Sequence, residues 1–197
     1  MAEETRQRII AATNELFRRV GYNGAGLSEI SRTSGATTGS IYHFFPGGKS
    51  ELTQHVLTET GDAYRELFEM ILDAEDSLAD GMLAFFDGAA EVLEGDDFID
   101  PCPIGTVARE VASTDDEVRN AASQVFAGWV DALTERLTDG QAPTDEARTT
   151  ATAVIAMIEG GFILSRTHRD ADLMRRMGSQ AALLVTAASQ ARQQTGR

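Results

Sequence analysis

The chain has 197 residues, of which 42% are apolar and 24% charged, and this composition suits a globular protein of one domain or two small ones. The single cysteine, Cys102, excludes an intrachain disulfide and a multi-cysteine zinc site. No apolar run approaches the roughly 20 residues of a membrane-spanning helix, and the N-terminal segment lacks the apolar core of a secretory signal. We therefore expect a cytoplasmic protein that does not cross a membrane.

Charge is distributed unevenly along the chain. Residues 1–60 hold six basic and six acidic side chains, whereas the remaining 137 residues hold 11 basic and 25 acidic ones and account for the whole net charge of −14. Phosphate binding depends on Lys and Arg, so the acidic part is a poor match for nucleic acid, but the neutral part is not excluded. The asymmetry indicates either two segments with different functions or an acidic surface that keeps the protein soluble.

Helical patterns run through the whole chain. Proline is scarce, Ala, Leu, Glu, Arg and Gln fill long stretches, and no β-type alternation reaches strand length. The periodicity predicts an all-α protein with nine helices, over residues 5–20, 27–34, 38–44, 49–73, 78–94, 104–112, 115–137, 145–167 and 172–192. Gly21 ends the first helix, Thr114 and Glu117 have capping-box spacing at the seventh, and residues 190–197 form a polar tail.

The second and third predicted helices have the layout of a helix-turn-helix, whose second helix enters the major groove of DNA. Gly35 lies in the turn, where it can adopt a positive φ. Thr37 caps the next helix, and Ile30 and Ile41 would pack the two helices together. Four polar side chains would then face outward, at Thr38, Ser40, Tyr42 and His43.

The run from Ile9 to Lys49 resembles the DNA-binding domain of TetR-type transcriptional regulators. The matching positions are Leu16, Phe17, Gly21, Tyr22, Ile30, Gly35, residues 39–45 and Lys49. The resemblance implies a homodimer of all-helical subunits, most often a repressor that a small molecule releases from DNA. With the break at residues 46–48, it divides the chain into a helix-turn-helix DNA-binding domain, residues 1–48, and a ligand-binding and dimerisation domain, residues 49–197.

The resemblance also implies a set of DNA-contacting positions. They are Thr5, Arg6, Ser28, Thr37, Thr38, Ser40, Tyr42, His43 and Lys49. Lys49 matches a phosphate contact, and Thr5 and Arg6 match the arm that approaches the backbone or the minor groove. Family members often carry Lys or Arg where this chain has Thr38, so weaker non-specific affinity for DNA is expected.

The C-terminal half resembles the LmrA/YxaF-like branch of this family, through residues 102–105, Trp129 and residues 159–161. Aromatic and Met side chains in this half either line an apolar ligand cavity or pack the core. The predicted ligand-binding residues are Phe68, Phe85, Phe86, Cys102, Phe126, Trp129, Met157, Glu159 and Phe162.

Two members of this ligand set have alternative roles. Cys102 is either a buried or pocket-lining small residue or a sensor of oxidants, although a reactive thiol needs nearby cations and its sequence neighbours supply none. Glu159, inside an apolar run, either pairs with Arg109 or Arg166 or forms a hydrogen bond to the ligand.

Patterns for catalysis or metal binding are weak. Glu51 and His55 share a helix face, but two residues do not complete a zinc site, and a structural role is favoured. Glu29 and Arg32 similarly predict a solvated ion pair. The sequence contains no nucleophile elbow and no phosphate-cradling glycine loop. We expect a protein that is not an enzyme and has neither cofactor nor metal.

The last two predicted helices are rich in Ala and Gly, which permit close helix packing. We expect these helices and their symmetry mates to form a four-helix dimer seam, so that the dimer binds a palindromic operator. A small apolar ligand would tilt the fourth helix and release the DNA. The alternative is a helical small-molecule-binding protein or an adaptor that does not bind DNA, which the zero net charge of residues 1–60 leaves open.

Overall fold

The computed structural model describes residues 2–99, 102–141 and 144–195. Within these ranges the chain forms nine α-helices and no strand, which confirms the predicted all-α fold. The helices are α1 (Ala2–Gly24), α2 (Leu27–Ser34), α3 (Thr38–Phe44), α4 (Gly48–Asp73), α5 (Leu78–Gly95), α6 (Pro103–Val111), α7 (Asp116–Leu137), α8 (Asp145–His168) and α9 (Asp172–Thr195).

The chain divides into two compact units. The first joins residues 1–63 to residues 101–125, and so contains α1 to α3, the first part of α4, α6 and the first part of α7. The second joins residues 64–100 to residues 126–197, and contains the rest of α4 and α7 together with α5, α8 and α9. The two long helices α4 and α7 therefore contribute to both units.

Helices α1, α2 and α3 each bury large apolar side chains in the core of the first unit. Ile9 and Phe17 from α1, Ile30 from α2 and Ile41 from α3 are fully buried, and so is Phe45 directly after α3. Ile30 and Ile41 thus face inward as predicted. Each buried side chain of this size stabilises the fold by about 1.5–3 kcal/mol, so a small apolar core holds the helix-turn-helix together.

Gly21 ends the main helical segment of α1, as predicted. Its backbone has φ 74° and ψ 179°, outside the helical region, yet helical structure continues to Gly24. A Cβ at this position would overlap Oε1 of Glu110. The positive φ therefore favours glycine at this position, and any larger residue would also displace the carboxylate of Glu110 on α6.

The predicted capping box at Thr114 and Glu117 is wrong. Asp115 precedes the first residue of α7, and its Oδ1 accepts the backbone N–H of Val118 at 3.0 Å. The hydroxyl of Thr114 instead donates to the carbonyl oxygen of Glu110. An N-cap side chain must stand immediately before the helix, and Asp115 occupies that place.

The predicted polar tail is wrong in part, because α9 continues to Thr195. Gln and Arg have high helix propensity, so a polar composition does not end a helix by itself. The remaining two residues of that predicted tail, 196 and 197, lie outside the described residues.

Glycine allows close helix packing in the second unit. A Cβ at Gly161 on α8 would lie 2.7 Å from Sδ of Met174 on α9. A Cβ at Gly178 on α9 would lie 2.6 Å from Cβ of Phe86 on α5. At these two positions, the small residues of the last two helices serve packing within one chain.

Among the described residues, one helix, α8, is long and apolar enough to cross a membrane by length and composition alone. An 18-residue window of α8 has a mean hydropathy of 1.2, and 33% of that window is buried. A core helix of a soluble protein passes the same test. The packing of α8 along α9 and against α5 favours a core helix.

Candidate nucleic-acid interface and ligand cluster

Side-chain hydrogen bonds fix the turn between α2 and α3. Gly35 adopts φ 67°, as predicted for this turn. Oγ of Ser31 donates to the carbonyl oxygen of Ala36 at 2.6 Å, and the backbone N–H of Ala36 donates to Oγ of Ser34 at 3.2 Å. Thr37 caps α3 as predicted, with its Oγ1 accepting the backbone N–H of Ser40 at 3.0 Å. The start of α3 is therefore held by contacts on both sides of the turn.

The outer face of α3 is polar. Thr38, Tyr42 and His43 are exposed, and Ser40 is half-buried, so the structure places these four side chains on the same short helix as predicted. The Tyr42 ring lies along the chain at Gly48, where a Cβ would be 3.3 Å from Cε1 of the ring. One side of the ring therefore packs against the backbone at Gly48, while half of the Tyr42 surface stays open to solvent.

The polar face of α3 carries neither Lys nor Arg. His43 is its one titratable side chain besides Tyr42, and its ring packs edge-on against Phe44 at 5.1 Å between centroids. Ser28, near the start of α2, is exposed as well. Contacts from this surface would be made by hydroxyl, phenol and imidazole groups, which suit directed hydrogen bonds better than general attraction to phosphate.

Lys49 is engaged within the chain. Its Nζ donates to the carbonyl oxygen of Tyr22 at 2.5 Å and lies 4.0 Å from the centroid of the Tyr22 ring. Burial lowers the pKa of Lys49 from its ordinary value, and the charge of Glu110 opposes that shift. A phosphate at Lys49 would have to share the ammonium group with the end of α1.

Arg6 is also engaged within the first unit. Its guanidinium donates to Oε1 of Glu59 on α4 at 3.0 Å and lies 5.7 Å from the centroid of the Phe45 ring. Thr5, one residue earlier, accepts a long hydrogen bond of 3.4 Å from Arg8. The structure thus places the predicted arm residues within α1, with Arg6 turned toward α4.

The predicted ligand-binding residues fall into two groups of unequal size. Eight lie in the second unit, whereas Cys102 lies in the first, where it is buried as the N-cap residue of α6. Cys102 is therefore buried because it lies at the packed start of α6. The eight in the second unit are Phe68, Phe85, Phe86, Phe126, Trp129, Met157, Glu159 and Phe162.

Aromatic rings in the second unit meet edge to face. The ring centroids of Phe68 and Phe85 are 4.9 Å apart, and those of Phe85 and Phe86 are 5.8 Å apart. Phe126 and Trp129, on α7, form a second pair with centroids 5.4 Å apart. The structure therefore brings five of the predicted aromatics into two clusters, the first on α4 and α5 and the second on α7.

Arg166 is one of the two predicted ion-pair partners of Glu159. In the structure it forms hydrogen bonds to the segment after α5. Its Nε donates to the carbonyl oxygen of Phe98 at 3.0 Å, and its Nη2 donates to that of Ile99 at 3.3 Å. Glu159 itself is half-buried, with Oε1 inside the protein. The Arg166 guanidinium thus fixes a loop whose residues Asp97 and Phe98 have positive φ.

A polar cleft of about 500 Å³ opens in the second unit and was missed from the sequence. Its lining comes from the end of α4, the start of α5 and the end of α7 and is rich in carboxylates: Glu69, Leu72, Glu75, Asp76, Ser77, Leu78, Ala132, Glu135, Arg136, Asp139 and Gly140. None of the predicted ligand-binding residues lines it. Residues from three helix ends carry no common sequence pattern, so no sequence signal could have found it.

The pair Glu51 and His55 has structural contacts. Oε2 of Glu51 accepts the backbone N–H of Gly47 at 2.6 Å, and the His55 ring packs on Phe45 at 5.4 Å between centroids. Within the described ranges, no group of three or more His, Cys, Asp or Glu side chains could hold a metal ion. Glu29 and Arg32 form the surface ion pair that their spacing predicted.

A capped helix-turn-helix with an outward polar helix, in a chain that also forms a larger helical unit, is typical of DNA-binding transcriptional regulators. Residues 9–56 match the family model of bacterial regulatory proteins of the tetR family. Residues 79–180 match the C-terminal domain model of LmrA/YxaF-like transcriptional regulators. The chain belongs to the TetR family of transcriptional regulators, which are not enzymes.

Two relatives from Bacillus subtilis are similar over nearly the whole chain. The uncharacterized HTH-type transcriptional regulator YxaF is 31% identical over 92% of this chain and 95% of its own length. The HTH-type transcriptional regulator LmrA is 30% identical over 89% of this chain and 94% of its own length. These similarities confirm the resemblance to this branch of the family.

A crystal structure of Escherichia coli NemR in its reduced form shares the fold. It has a TM-score of 0.76 and 21% sequence identity, and the match covers 90% of this chain and 94% of that one. The same E. coli protein is named a transcriptional repressor. The fold of the described helices is therefore that of a TetR-family regulator.

Proposed function

We propose that this regulator is a cytoplasmic repressor, which binds a palindromic operator as a homodimer and is released by a small apolar ligand. The observation that carries the proposal is the outward polar face of α3, held by the Thr37 cap and the hydrogen-bonded turn before it. An exposed helix with several hydrogen-bonding side chains and a rigid attachment is what major-groove reading needs. The name of the E. coli relative supports repression over activation.

The proposed DNA contacts come from the first unit. They are Thr5, Arg6, Ser28, Thr37, Thr38, Ser40, Tyr42, His43 and Lys49. Tyr42 and His43 are the side chains best placed to reach base edges, because both are exposed on the outer face of α3. Lys49 would contact a phosphate while it keeps one hydrogen bond to Tyr22, since an ammonium group has three donors.

The proposed dimer interface lies on α8 and α9. Four large apolar side chains on these helices are exposed in a single chain: Ile163, Leu164, Leu183 and Leu184. Burying such surface against a two-fold related copy is favourable, and contiguous exposed apolar surface typically marks an interface. The resulting two-fold symmetry would match operator half-sites about 34–36 Å apart.

The proposed ligand site lies among the aromatic side chains of the second unit. Two edge-to-face clusters, with Trp129 in one and Phe85 in the other, provide soft apolar surface. Binding there would favour a different tilt of α4, one of the two helices that contribute to both units. The ligand can release DNA only if it binds the DNA-free conformation more tightly.

A mobility-shift titration tests the central proposal. Purified protein is titrated on DNA flanking its own gene, at two salt concentrations and against excess unrelated DNA. Tight, salt-sensitive binding that survives the competitor supports a sequence-specific regulator. If neither this DNA nor a selection from random sequences yields a preferred site, the proposal is contradicted.

Two substitutions then test the residue assignments. Tyr42→Ala should weaken operator binding by about 10- to 100-fold, the usual value of a good base contact. Lys49→Ala should reduce the salt slope by about 0.9, the equivalent of one phosphate contact. Arg148→Ala is the matched control, because it removes one positive charge from an exposed pair with Asp131 in the second unit.

The salt slope separates two roles of Lys49. Weaker binding with an unchanged slope would assign Lys49 to holding Tyr22 and not to phosphate. Unchanged operator affinity in both variants would overturn both assignments.

The single tryptophan makes the ligand proposal testable without labels. The dye 1-anilinonaphthalene-8-sulfonate is an anion whose aromatic rings bind apolar surface. It should quench Trp129 emission, because that indole lies in one of the aromatic clusters. Saturating dye should also weaken operator binding. Quenching that leaves operator affinity unchanged would contradict the coupling for this probe.

A further inference from the structure

One carboxylate in the first unit joins three helices. Oδ2 of Asp115 accepts the phenol O–H of Tyr22, near the end of α1, at 3.3 Å. Oδ1 accepts the hydroxyl of Ser50, in the first turn of α4, at 3.3 Å, and the backbone N–H of Val118 in α7 at 3.0 Å. We call these four residues the Asp115 junction. Both oxygens of the carboxylate are used, and each partner belongs to a different helix.

Tyr22 is held from several sides within this junction. Its carbonyl oxygen accepts Nζ of Lys49 at 2.5 Å, and the same ammonium lies over its ring. Phe17 packs against the ring with centroids 6.0 Å apart. Burial, and then the charge and hydrogen bond of Asp115, raise the pKa of the Tyr22 phenol, which therefore stays protonated and able to donate at neutral pH.

A second carboxylate supports the same end of α1. Oε2 of Glu110, on α6, accepts the backbone N–H of Asn23 at 2.8 Å. Gly21 admits this side chain, because any Cβ there would collide with it. The residues on both sides of Tyr22 are thus fixed against α6 while Tyr22 itself reaches Asp115.

We propose that Asp115 is a positioning residue for operator binding, which holds the end of α1 and the start of α4 against the start of α7. The inference rests on the proposed function. Asp115 itself touches no DNA, and it acts through Tyr22 and Ser50, the neighbour of Lys49. Restraining these helices before DNA arrives lowers the ordering cost of binding, so a loosened junction binds operator more weakly although every DNA-facing side chain remains.

Two variants separate this role from helix capping. Asn is as good an N-cap as Asp, so Asp115→Asn keeps the cap on α7 and removes the charge that the phenol and the Ser50 hydroxyl use. Tyr22→Phe removes one hydroxyl and keeps the ring beneath Lys49. Each should weaken operator binding by about 10-fold, the usual value of a hydrogen bond to a charged group. The double variant should be no weaker than the weaker single variant, because both break the same contact.

The matched control is Asp116→Asn. Asp116 is the next residue, its side chain is 89% exposed, and it pairs with Arg119 on its own helix. This control removes the same charge at nearly the same place, so it has the same long-range effect on DNA. All variants are compared at equal active fraction, determined by stoichiometric titration, and thermal melts confirm that they fold.

The outcomes separate the two proposals. Wild-type protein that binds operator, with Asp115→Asn and Tyr22→Phe both weakened and Asp116→Asn unchanged, supports the positioning role. The positioning role is overturned if wild-type protein binds operator and Asp115→Asn has the same operator affinity as Asp116→Asn. It is also overturned if either junction variant binds operator more tightly than wild type. In both cases the proposed function still stands. If Asp115→Asn does not fold, Tyr22→Phe decides the matter alone. Wild-type protein without operator affinity overturns both proposals.

Discussion

Two surfaces of this regulator face solvent in the single chain, and they differ in chemistry. The outer face of α3 presents Thr38, Tyr42 and His43, and only Ile41 of that helix is fully buried. On α9, by contrast, Leu183 is 63% exposed and Leu184 lies beside it. A polar face is stable in water and can exchange its water for DNA, whereas an apolar face gains from being covered. The difference fits the partners proposed above, nucleic acid for the polar face and a second copy of the chain for the apolar face.

The largest expected effect comes from placing charge on the apolar face. The double substitution Leu183→Glu and Leu184→Glu should convert the dimer to monomer, because unpaired buried charges are strongly unfavourable. Operator affinity should then fall by about 100-fold or more, since one half-site contact replaces two linked ones. Sedimentation and mobility-shift titrations measure the two effects.

The control for this change is Met70→Glu, on an exposed apolar side chain of α4. It should leave both oligomeric state and operator affinity unchanged. If the double Leu variant stays dimeric, the dimer interface lies elsewhere, and the proposal that the apolar face is the interface is contradicted.

Two threonine caps allow a smaller and closely matched comparison. Thr37 accepts the N–H of Ser40 at 3.0 Å at the start of α3, and Thr144 accepts the N–H of Ala147 at 3.1 Å at the start of α8. Replacing either by Ala should destabilise the protein by about 1 kcal/mol. Thr37→Ala should also weaken operator binding beyond that loss of stability, and Thr144→Ala should not. Equal operator affinity in the two variants would contradict the role of the α3 face.

The smallest expected effect is on the pH dependence of the stability that surface ion pairs provide. A hydrogen bond from Arg175, and then its charge, lower the pKa of Glu94 below the ordinary 4.5. The unfolded chain therefore binds this proton first, so the pair stabilises the fold above about pH 4.5 and ceases to do so as pH falls through the lowered folded value. Arg175 joins α9 to Asp87 and Glu94 on α5.

Arg175→Met should accordingly lower the melting temperature slightly at neutral pH. Between about pH 6 and about pH 3, the melting temperature of this variant should decrease less than that of wild type. Arg32→Met is the counterpart in the first unit, where Arg32 pairs with Glu29 within α2. Its effect should be smaller still, because that pair joins no second helix. Identical pH profiles for wild type and Arg175→Met would contradict the assignment.

Most of the fold and the outline of the proposed DNA-binding face were predictable from local patterns. Helix periodicity gave the nine helices, and Gly35, Thr37, Ile30 and Ile41 gave the turn, its cap and the buried contact. Each of these signals involves residues within a turn or two of one another, where backbone geometry dictates the outcome.

The choice of cap at α7 shows where local patterns end. Thr114 and Asp115 are adjacent, and both can serve as N-cap residues. Asp115 is used, and in this place its carboxylate also receives Tyr22 and Ser50, which are 93 and 65 residues away in sequence. Only the packing of α1, α4 and α7 brings these groups together.

By itself, the sequence predicted an all-α fold with an outward polar α3, because periodicity, turn residues and caps act locally. The family was predicted separately, from the resemblance of residues 9–49 to TetR-type regulators. The tertiary structure decided which charged groups are already engaged within the chain, such as Lys49 at Tyr22 and Arg6 at Glu59. It also decided where carboxylates line a cleft and which of them join helices. Those contacts depend on distances between residues far apart in the chain, and no local pattern encodes them.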